Sequence, residues 1–163
     1  MPHGGCSRSE PVAKAVWRGL DAPRLEIAHV ERAGRELRAA GTQIGVAYEL
    51  RYELEPGLLR VEVVGERTRE VGLEGADFFD LAFSPLLNSL PVVRDGLLDG
   101  GPARDYRMRW IDVPSLEVSE SAQRYEPVAP RTIRFSTGDF TALLEFGPDA
   151  LVERYEGLAE RLR

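Results

Sequence analysis

The chain has 163 residues, of which 43% are hydrophobic and 29% charged, and its formal net charge is −6. This length suits one domain with a real core. The acidic balance argues against a nucleic-acid-binding protein, because phosphate binding needs a basic surface. A single cysteine, Cys6, allows neither an internal disulfide nor a cysteine-based zinc site, and a cytoplasmic location is the default expectation.

The first residues differ in composition from the rest of the chain. Residues 1–12 are rich in Gly, Ser and Pro and lack the apolar core of a secretory signal. They are predicted to form a flexible tail, which contains His3, and residues 13–163 to form a single domain. No integral membrane segment is predicted, since a spanning helix needs about 20 apolar residues.

Apolar residues at every second position are the dominant pattern, and this period predicts β-strands. The longest example runs from 44 to 54, where Ile, Val, Tyr and Leu alternate with small or charged residues. Pro56-Gly57 follows as a turn sequence, and residues 58–67 alternate again. The two segments are predicted to form a hairpin.

A strand is also predicted at 24–32, with Leu25, Ile27 and His29 on its apolar face. Four later segments have the same period, with proline- and glycine-containing turns among them, and they cover residues 104–114, 115–120, 131–137 and 139–147. Many short strands at this spacing indicate an all-β sandwich, barrel or roll.

The C-terminal segment, residues 148–163, has two interpretations. Its leucines and tyrosine fit one face of a long helix. Alternatively, Leu151 and Val152 pair back onto the preceding strand, and only residues 156–162 form a short helix. The second interpretation is favoured, because Gly157 weakens a long helix by about 1 kcal/mol.

Residues 81–93 contain no charged side chain. Pro85 and Pro91, with two serines and an asparagine, make the segment too polar and too kinked for a helix, so a loop is predicted. Such a dry loop fits the lip or floor of a pocket, where Asn88 bonds its own backbone and Arg94 returns to water or reaches an anionic head group. Alternatively, a second subunit covers the loop.

The predicted strand faces also carry many aromatic residues, namely Tyr48, Tyr52, Tyr106, Trp110, Phe135 and Phe140. Inward tyrosines need a partner for the hydroxyl group or a wet cavity. They favour a pocket of about 300 Å³ or more, whose rings stack on sugar or cover an acyl chain. The alternative is a filled core whose tyrosines reach its rim.

The sequence contains no motif of a hydrolase nucleophile, a P-loop, a dinucleotide site or a zinc protease. His29 fits a core or rim position better than the position of a base. Asp77 and Asp80 flank two phenylalanines, where desolvation raises the pKa of a carboxyl group, or they cap turns at strand ends. Asp95 and Asp99 lack the alternating acids of a calcium loop. No catalytic residue, metal site or cofactor is predicted.

The segment LEGADFFDLAFSPLLNSLPVVR, residues 73–94, resembles the bacterial putative glycolipid-binding family, a former domain of unknown function. The family motif Ser/Thr-Pro-x-x-Asn-x-Leu-Pro-x-x-Arg, preceded by an Asp-containing strand, is matched here by Asp80, Ser84, Pro85, Asn88, Leu90, Pro91 and Arg94. Further matches in chain order are Trp17, WIDVPSLEV at 110–118, QRY at 123–125 and LVERYEGL at 151–158.

Three positions depart from the family pattern. Ala76 replaces a cysteine, Asp95 replaces a second arginine, and Glu156 replaces a proline. The resemblance implies a mostly antiparallel spiral β-roll around a cavity, similar in outline to carriers of bacterial lipoproteins. It also implies a proposed role in binding glycolipid.

We therefore predict a mainly β protein, a single-domain antiparallel spiral β-roll with a short C-terminal helix. It is expected to be a non-catalytic carrier of an amphipathic small molecule such as a glycolipid. The predicted ligand-binding residues are Tyr48, Tyr52, Asn88, Arg94, Tyr106, Trp110, Gln123 and Tyr125. Two alternatives stay open, a carboxylate-based enzyme acting on a sugar- or lipid-like substrate and a homodimeric interaction module.

Overall fold

The computed structural model describes residues 12–31 and 35–163. Most of the predicted tail, including His3 and Cys6, lies outside the described residues. The described part forms thirteen β-strands, one α-helix and one 3-10 helix.

The strands cover the chain almost without interruption, and their bounds are β1 Val12–Gly19, β2 Arg24–Glu31, β3 Glu36–Gln43, β4 Val46–Glu53, β5 Leu58–Val63, β6 Arg67–Gly72, β7 Phe78–Leu81, β8 Arg104–Ile111, β9 Val118–Ala129, β10 Thr132–Thr137, β11 Phe140–Phe146, β12 Val152–Tyr155 and β13 Ala159–Leu162. The helix α1 runs over Pro85–Asp95 and is followed by the 3-10 helix Leu97–Asp99.

All thirteen strands belong to one sheet, in the order β6-β5-β4-β3-β2-β1-β13-β12-β11-β10-β9-β8-β7. Every neighbouring pair is antiparallel except β7 and β8, which are parallel. Arg69 Nη1 donates to the Leu116 carbonyl at 3.0 Å, and Arg109 Nη1 donates to the Gly72 carbonyl at 3.0 Å. These bonds bring β6 to the region of β8, so the sheet curls until its two margins meet. The predicted mainly β, antiparallel roll is confirmed.

Antiparallel pairing places alternate connections at opposite ends of the roll. We call one of these the upper end, and its connections are residues 20–23, 44–45, 64–66, 82–84, 112–117, 138–139 and 156–158. The helix α1 starts at the upper end, directly after β7, and packs inside the roll.

The prediction of a loop at 81–93 is wrong, because the segment closes β7 and then forms most of α1. Pro85 occupies the first turn of the helix, where proline needs no hydrogen-bonded N–H. The helix is buried on nearly all sides, including the side that carries Pro91, and a helix that is apolar all round belongs in an interior. The segment is dry because its own sheet covers it, with only Phe83 and Val93 well exposed.

Core packing places α1 between two apolar clusters. Leu86 and Leu87 pack in a cluster formed mainly by β1–β6, whereas Val92 packs in a second cluster formed mainly by β8–β13. Leu90 contacts both clusters. The helix therefore joins the two halves of the interior.

A buried carboxylate holds the start of α1. Glu26 of β2 is 3% exposed, and its carboxylate accepts hydrogen bonds from the Tyr48 hydroxyl, the Ser84 hydroxyl at 3.0 Å and the Leu86 backbone N–H at 3.2 Å. The first backbone N–H groups of a helix have no partner within it and favour negative charge. Burial raises the pKa of Glu26, while these three donors act in the opposite direction.

This contact explains why the predicted face of β2 is wrong. Leu25, Ile27 and His29 point outward and are exposed, whereas Glu26 and Ala28 point into the roll. The alternation by itself predicts that the more hydrophobic set faces inward. In the structure the other set faces inward, because the Glu26 carboxylate binds the first turn of α1.

The predicted C-terminal helix at 156–162 is also wrong. Residues 152–155 pair with β11 as β12, as the favoured interpretation required, but Ala159–Leu162 forms β13 against β1. Gly157 has a φ of 72° and lies in the turn between the two strands, which suits glycine and ends any helix. The strand β1 was not foreseen, so its need for a partner was not foreseen either.

We expect Glu26→Ala to lower the free energy of unfolding by about 3 kcal/mol, because it leaves three buried donors without an acceptor. Glu26→Gln keeps one acceptor oxygen and should lose less. Chemical denaturation monitored by circular dichroism measures both. Glu49→Ala, on the exposed outer face of β4, is the matched control and should change stability by less than about 0.5 kcal/mol. Equal losses for Glu26 and Glu49 would contradict the anchoring role.

Candidate ligand-binding site

An open pocket of about 370 Å³ enters the roll at the upper end, between β7–β12 and the start of α1. Its volume lies in the lower part of the range of about 300–1,000 Å³ that small-molecule sites occupy. Seven residues of the lining are apolar, and we group them as its apolar side: Leu81, Phe83, Trp110, Phe135, Phe140, Tyr155 and Leu158. Eight are polar, and we group them as its polar side: Asp80, Ser84, Asn88, Ser119, Glu120, Ser121, Gln123 and Thr137. The two groups interleave, because the strand register places Trp110 beside Asp80 and Ser119, and Thr137 beside Phe140.

A chain of hydrogen bonds runs through the polar side. Asn88 Nδ2 donates to the Tyr125 hydroxyl at 3.1 Å, and that hydroxyl donates to Gln123 Oε1 at 3.4 Å. Gln123 Nε2 in turn donates to Asp80 Oδ2 at 2.7 Å. All four side chains are buried. The donors point in one direction, so the Asp80 carboxylate is the terminal acceptor.

The surroundings of Asp80 raise the pKa of its carboxyl group toward neutral pH. Burial raises the pKa of Asp80 to about 7, and the nearby charge of Glu26 acts in the same direction. The hydrogen bonds from Gln123 and the Leu81 backbone lower it by a smaller amount. The pocket thus contains a carboxyl group that changes charge near physiological pH.

The apolar side is built from packed rings. Phe135 lies edge-on to Tyr125, with centroids 5.3 Å apart, and to Tyr155 at 6.1 Å. Phe140 stands 6.2 Å from Phe135 and is 46% exposed at the mouth. Edge-to-face contacts of this kind hold rings in fixed orientations. The wall is therefore formed by rings that support one another.

Four of the eight ligand-binding residues predicted from the sequence lie together at this pocket. Asn88, Trp110 and Gln123 line it. Tyr125 lies directly behind, fully buried and bonded to both Asn88 and Gln123. These residues come from α1, β8 and β9, so the fold assembles them from distant parts of the chain.

The other four predicted residues lie elsewhere. Tyr48 donates to Glu26, and Tyr52 packs edge-on against Phe79 with centroids 5.1 Å apart. Arg94 pairs with Asp95 and lies 4.2 Å over the Phe78 ring at the other end of α1. Tyr106 donates to the same Asp95 at 2.6 Å. None of the four lines the pocket.

Sequence reasoning missed part of the polar side, above all Ser119 and Ser121. The signal was present, because Ser119, Ser121, Gln123 and Tyr125 alternate along β9 and share the face that turns inward. Only the end of this strand that holds the first serine was predicted. Asp80 was named as a candidate acid but not as a ligand-binding residue.

The two carboxylates singled out from the sequence have different surroundings. Asp80 lines the pocket, whereas Asp77 accepts the Arg107 backbone N–H at 2.8 Å beside the start of β7. Asp77 thus ties a strand end, as the structural alternative proposed. Within residues 12–31 and 35–163, no three His, Cys, Asp or Glu side chains converge as metal ligands.

The pKa of Asp80 leads to a pH-dependent prediction. Between its ordinary value of 3.8 and about 7, folded Asp80 retains a proton that the unfolded chain has released. Its contribution to stability therefore falls as pH rises through this window and is most unfavourable above about 7. We expect Asp80→Asn to be more stable than the parent near pH 8.5, by roughly 2–4 kcal/mol, and equal to it below about pH 4.

Chemical denaturation of both proteins over this pH range measures the difference. Glu26 titrates in both, so subtraction removes most of its effect. Parallel stability curves at all pH values would contradict a raised pKa at Asp80.

A solved structure has a similar architecture. The fold is similar to the crystal structure of a DUF1089 family protein from Pseudomonas aeruginosa, with a TM-score of 0.56 over 99% of this chain and 98% of that chain. The two sequences are 23% identical, so this likeness concerns the fold alone. No curated protein matches the sequence. In the described part of the chain, no helix has the length and apolar character needed to cross a membrane.

The sequence profile of the family described as "Putative glycolipid-binding" matches residues 60–161. The match includes β7, α1, β8 and β9, which carry the whole polar chain from Asn88 to Asp80. It spans more than half of the sequence, and the chain therefore belongs to the putative glycolipid-binding family.

Proposed function

We propose that the pocket binds one amphipathic small molecule without reacting with it, and that a glycolipid is the natural class of ligand. The observation that supports this most is that one pocket combines a cluster of aromatic rings with a chain of polar side chains that ends at Asp80. A ligand with a polyhydroxylated head and an apolar tail matches both kinds of lining.

The polar side of the pocket suits a sugar head group. Hydroxyl groups of a sugar both donate and accept, and this side offers a carboxylate acceptor in Asp80 and amides in Asn88 and Gln123. Serine and threonine hydroxyls complete it. Trp110, half-buried in the lining, presents a ring on which a sugar face can stack.

The charge of the lining favours an uncharged head group. Two acids, Asp80 and Glu120, line the pocket, and its lining contains no Lys, Arg or His among the described residues. A phosphate or sulfate placed there meets like charge, and no lining residue supplies a compensating cation. The family's arginine at the motif, Arg94, lies at the other end of α1 and pairs with Asp95.

The pocket volume of about 370 Å³ suits a head group with the adjoining part of a chain. It is small for a complete lipid with two acyl chains. The remainder of such a ligand would extend through the mouth between Phe83 and Phe140, which are both partly exposed.

The enzyme alternative has one observation in its favour, since a carboxyl group with a pKa near 7 is suited to acid–base chemistry. Glycoside hydrolysis usually needs a second carboxylate across the bound sugar. Glu120 is the other acid of the lining, and its side chain is 82% exposed. We therefore favour binding, and mass spectrometry of the ligand after incubation tests for turnover.

The interaction-module alternative assumed an exposed apolar loop at residues 81–93, but this segment is covered by its own chain except at Phe83 and Val93. A homodimer and a cytoplasmic location both stay predictions.

Isothermal titration calorimetry with hexyl and octyl glucoside tests the proposal. Each buried methylene contributes about 0.8 kcal/mol, so the two extra methylenes should make octyl glucoside bind up to about fifteenfold more tightly than hexyl glucoside. Trp110 emission should change on binding, whereas Trp17, buried and bonded to the Val152 carbonyl at 2.7 Å, should not respond. Trp110→Phe should remove the signal. Absence of heat and of spectral change with both glucosides would overturn the proposal.

Charge selection is tested with octyl phosphate. The parent protein should bind it at least about tenfold more weakly than octyl glucoside near pH 8.5, where Asp80 is ionised. Asp80→Asn should reduce the difference between the affinities for octyl glucoside and octyl phosphate. Tyr52→Phe, at a buried ring outside the pocket, is the control and should leave both affinities unchanged. Equal binding of the two ligands by the parent would contradict an uncharged head group while leaving amphiphile binding intact.

A further inference from the structure

Large hydrophobic side chains are exposed unevenly over the surface. Eleven are exposed in the described part of the chain, and five of them lie in or directly beside the connections of the upper end, namely Leu20, Ile44, Val64, Phe83 and Phe140. At the opposite end there are three, namely Val93 near the end of α1, and Val128 and Leu162 near strand ends, and no turn between two strands there carries one in the described part of the chain. Single exposed apolar residues are ordinary, but such a concentration at one end calls for an explanation.

Ile44 is the most exposed of the five, at 71%. It forms the two-residue turn between β3 and β4 with Gly45, with φ angles of 48° and 81°. Such turns favour Asn-Gly, and a β-branched residue at positive φ costs about 1–3 kcal/mol. Neither turn geometry nor core packing accounts for isoleucine here.

Phe83 repeats this pattern at the pocket mouth. Its φ is 61°, its side chain is 44% exposed, and the Arg24 guanidinium lies 4.5 Å from its ring centroid. Phe83 and Phe140 both line the pocket. Gln43, beside Ile44, donates to the Ala82 carbonyl, so the turn at Ile44 lies next to this lip. The exposed apolar tips are thus continuous with the pocket entrance.

The charges within the connections of this end have one sign, and arginines occur only at the adjoining strand ends. Every charged residue within the seven upper connections is an acid, and these are Asp21, Glu66, Asp112, Glu117, Asp139 and Glu156. Asp21 and Glu66 pair with arginines at adjoining strand ends. An anionic lipid surface would repel this end, because attraction to such surfaces relies on Lys and Arg. Separate apolar tips among polar turns match shallow insertion into an uncharged lipid surface.

We propose that the upper end docks the protein on a lipid surface without net negative charge, with Ile44, Phe83 and Phe140 entering the interfacial layer around the pocket mouth. Docking brings the mouth to the depth at which a lipid head group leaves the bilayer. The reason for docking rests on the proposed function, but docking itself has its own readout.

Flotation with phosphatidylcholine vesicles tests the proposal. The parent protein should float with them, and less so with an equimolar mixture of phosphatidylcholine and phosphatidylglycerol. Ile44→Asn is the sharpest variant, because asparagine suits the turn. It should raise the melting temperature yet weaken vesicle binding by about threefold or more. A purely structural role for Ile44 would not move the two readouts in opposite directions.

Phe83→Ser should weaken vesicle binding to a similar extent. Val128→Ser, near the opposite end, and Leu143→Ser, on the outer face of β11, remove apolar side chains of comparable exposure and should have no effect. Equal losses in all variants, no flotation of the parent, or tighter binding to anionic vesicles would overturn the proposal.

Two further outcomes separate the alternatives. If Ile44→Asn or Phe83→Ser turns a dimer into a monomer in analytical ultracentrifugation without affecting flotation, a second copy of the chain covers this end and docking is wrong. If flotation holds but neither alkyl glucoside binds, docking stands and the proposed ligand fails. Ile44→Asn should retain octyl glucoside binding, since Ile44 does not line the pocket.

Discussion

The Glu26 carboxylate, buried beneath the first turn of α1, is the contact on which the interior of the roll depends. It accepts from the Ser84 hydroxyl and the Leu86 N–H, and so fixes the position and direction of the helix. That position sets where Asn88, one turn further on, meets the hydroxyl group of Tyr125. A strand near the middle of the sheet thereby orients a residue of the pocket, and the charge of Glu26 adds to the effect of burial in raising the pKa of Asp80.

The position of α1 also explains why the interior is filled on one side and open on the other. Leu86 and Leu87 pack in the cluster of β1–β6, where the tyrosines Tyr48 and Tyr52 are fully enclosed. On the other side the polar residue Asn88 faces β9, and short serine side chains leave room near the upper end. Inward tyrosines therefore have two roles. In one half of the roll they are core residues, and in the other half Tyr125 supports the pocket lining.

The sequence predicts the elements that follow a period of two and fails where a distant partner decides. For the hairpin β4–β5, both the pairing and the inner face were predicted. Leu50 and Leu59 alternate with charged residues, and the two strands pair with each other locally. The inner face of β2 was predicted wrongly, because no residue near Glu26 in the sequence indicates that its carboxylate binds a helix that begins at Pro85. Similarly, α1 was predicted as a loop because prolines were weighed as helix breakers and not by their positions. Only half of the predicted ligand-binding residues lie at the pocket for the same reason. Its polar side forms only when β7, β8 and β9 pair, and these strands are distant in the sequence.

The chain Asn88–Tyr125–Gln123–Asp80 is an unfavourable way to stabilise a core. Four apolar side chains of similar size would fill the same space without burying a carboxyl group whose charge is opposed by its surroundings. A carboxylate of this kind lowers stability at every pH above its pKa, and its neighbours reduce the shift only in part. Asp80, Asn88 and Gln123 line a pocket open to solvent at its mouth, where a ligand's hydroxyl groups could bond to them. Stability alone therefore does not account for the polar side of the pocket, and this supports the proposed binding function.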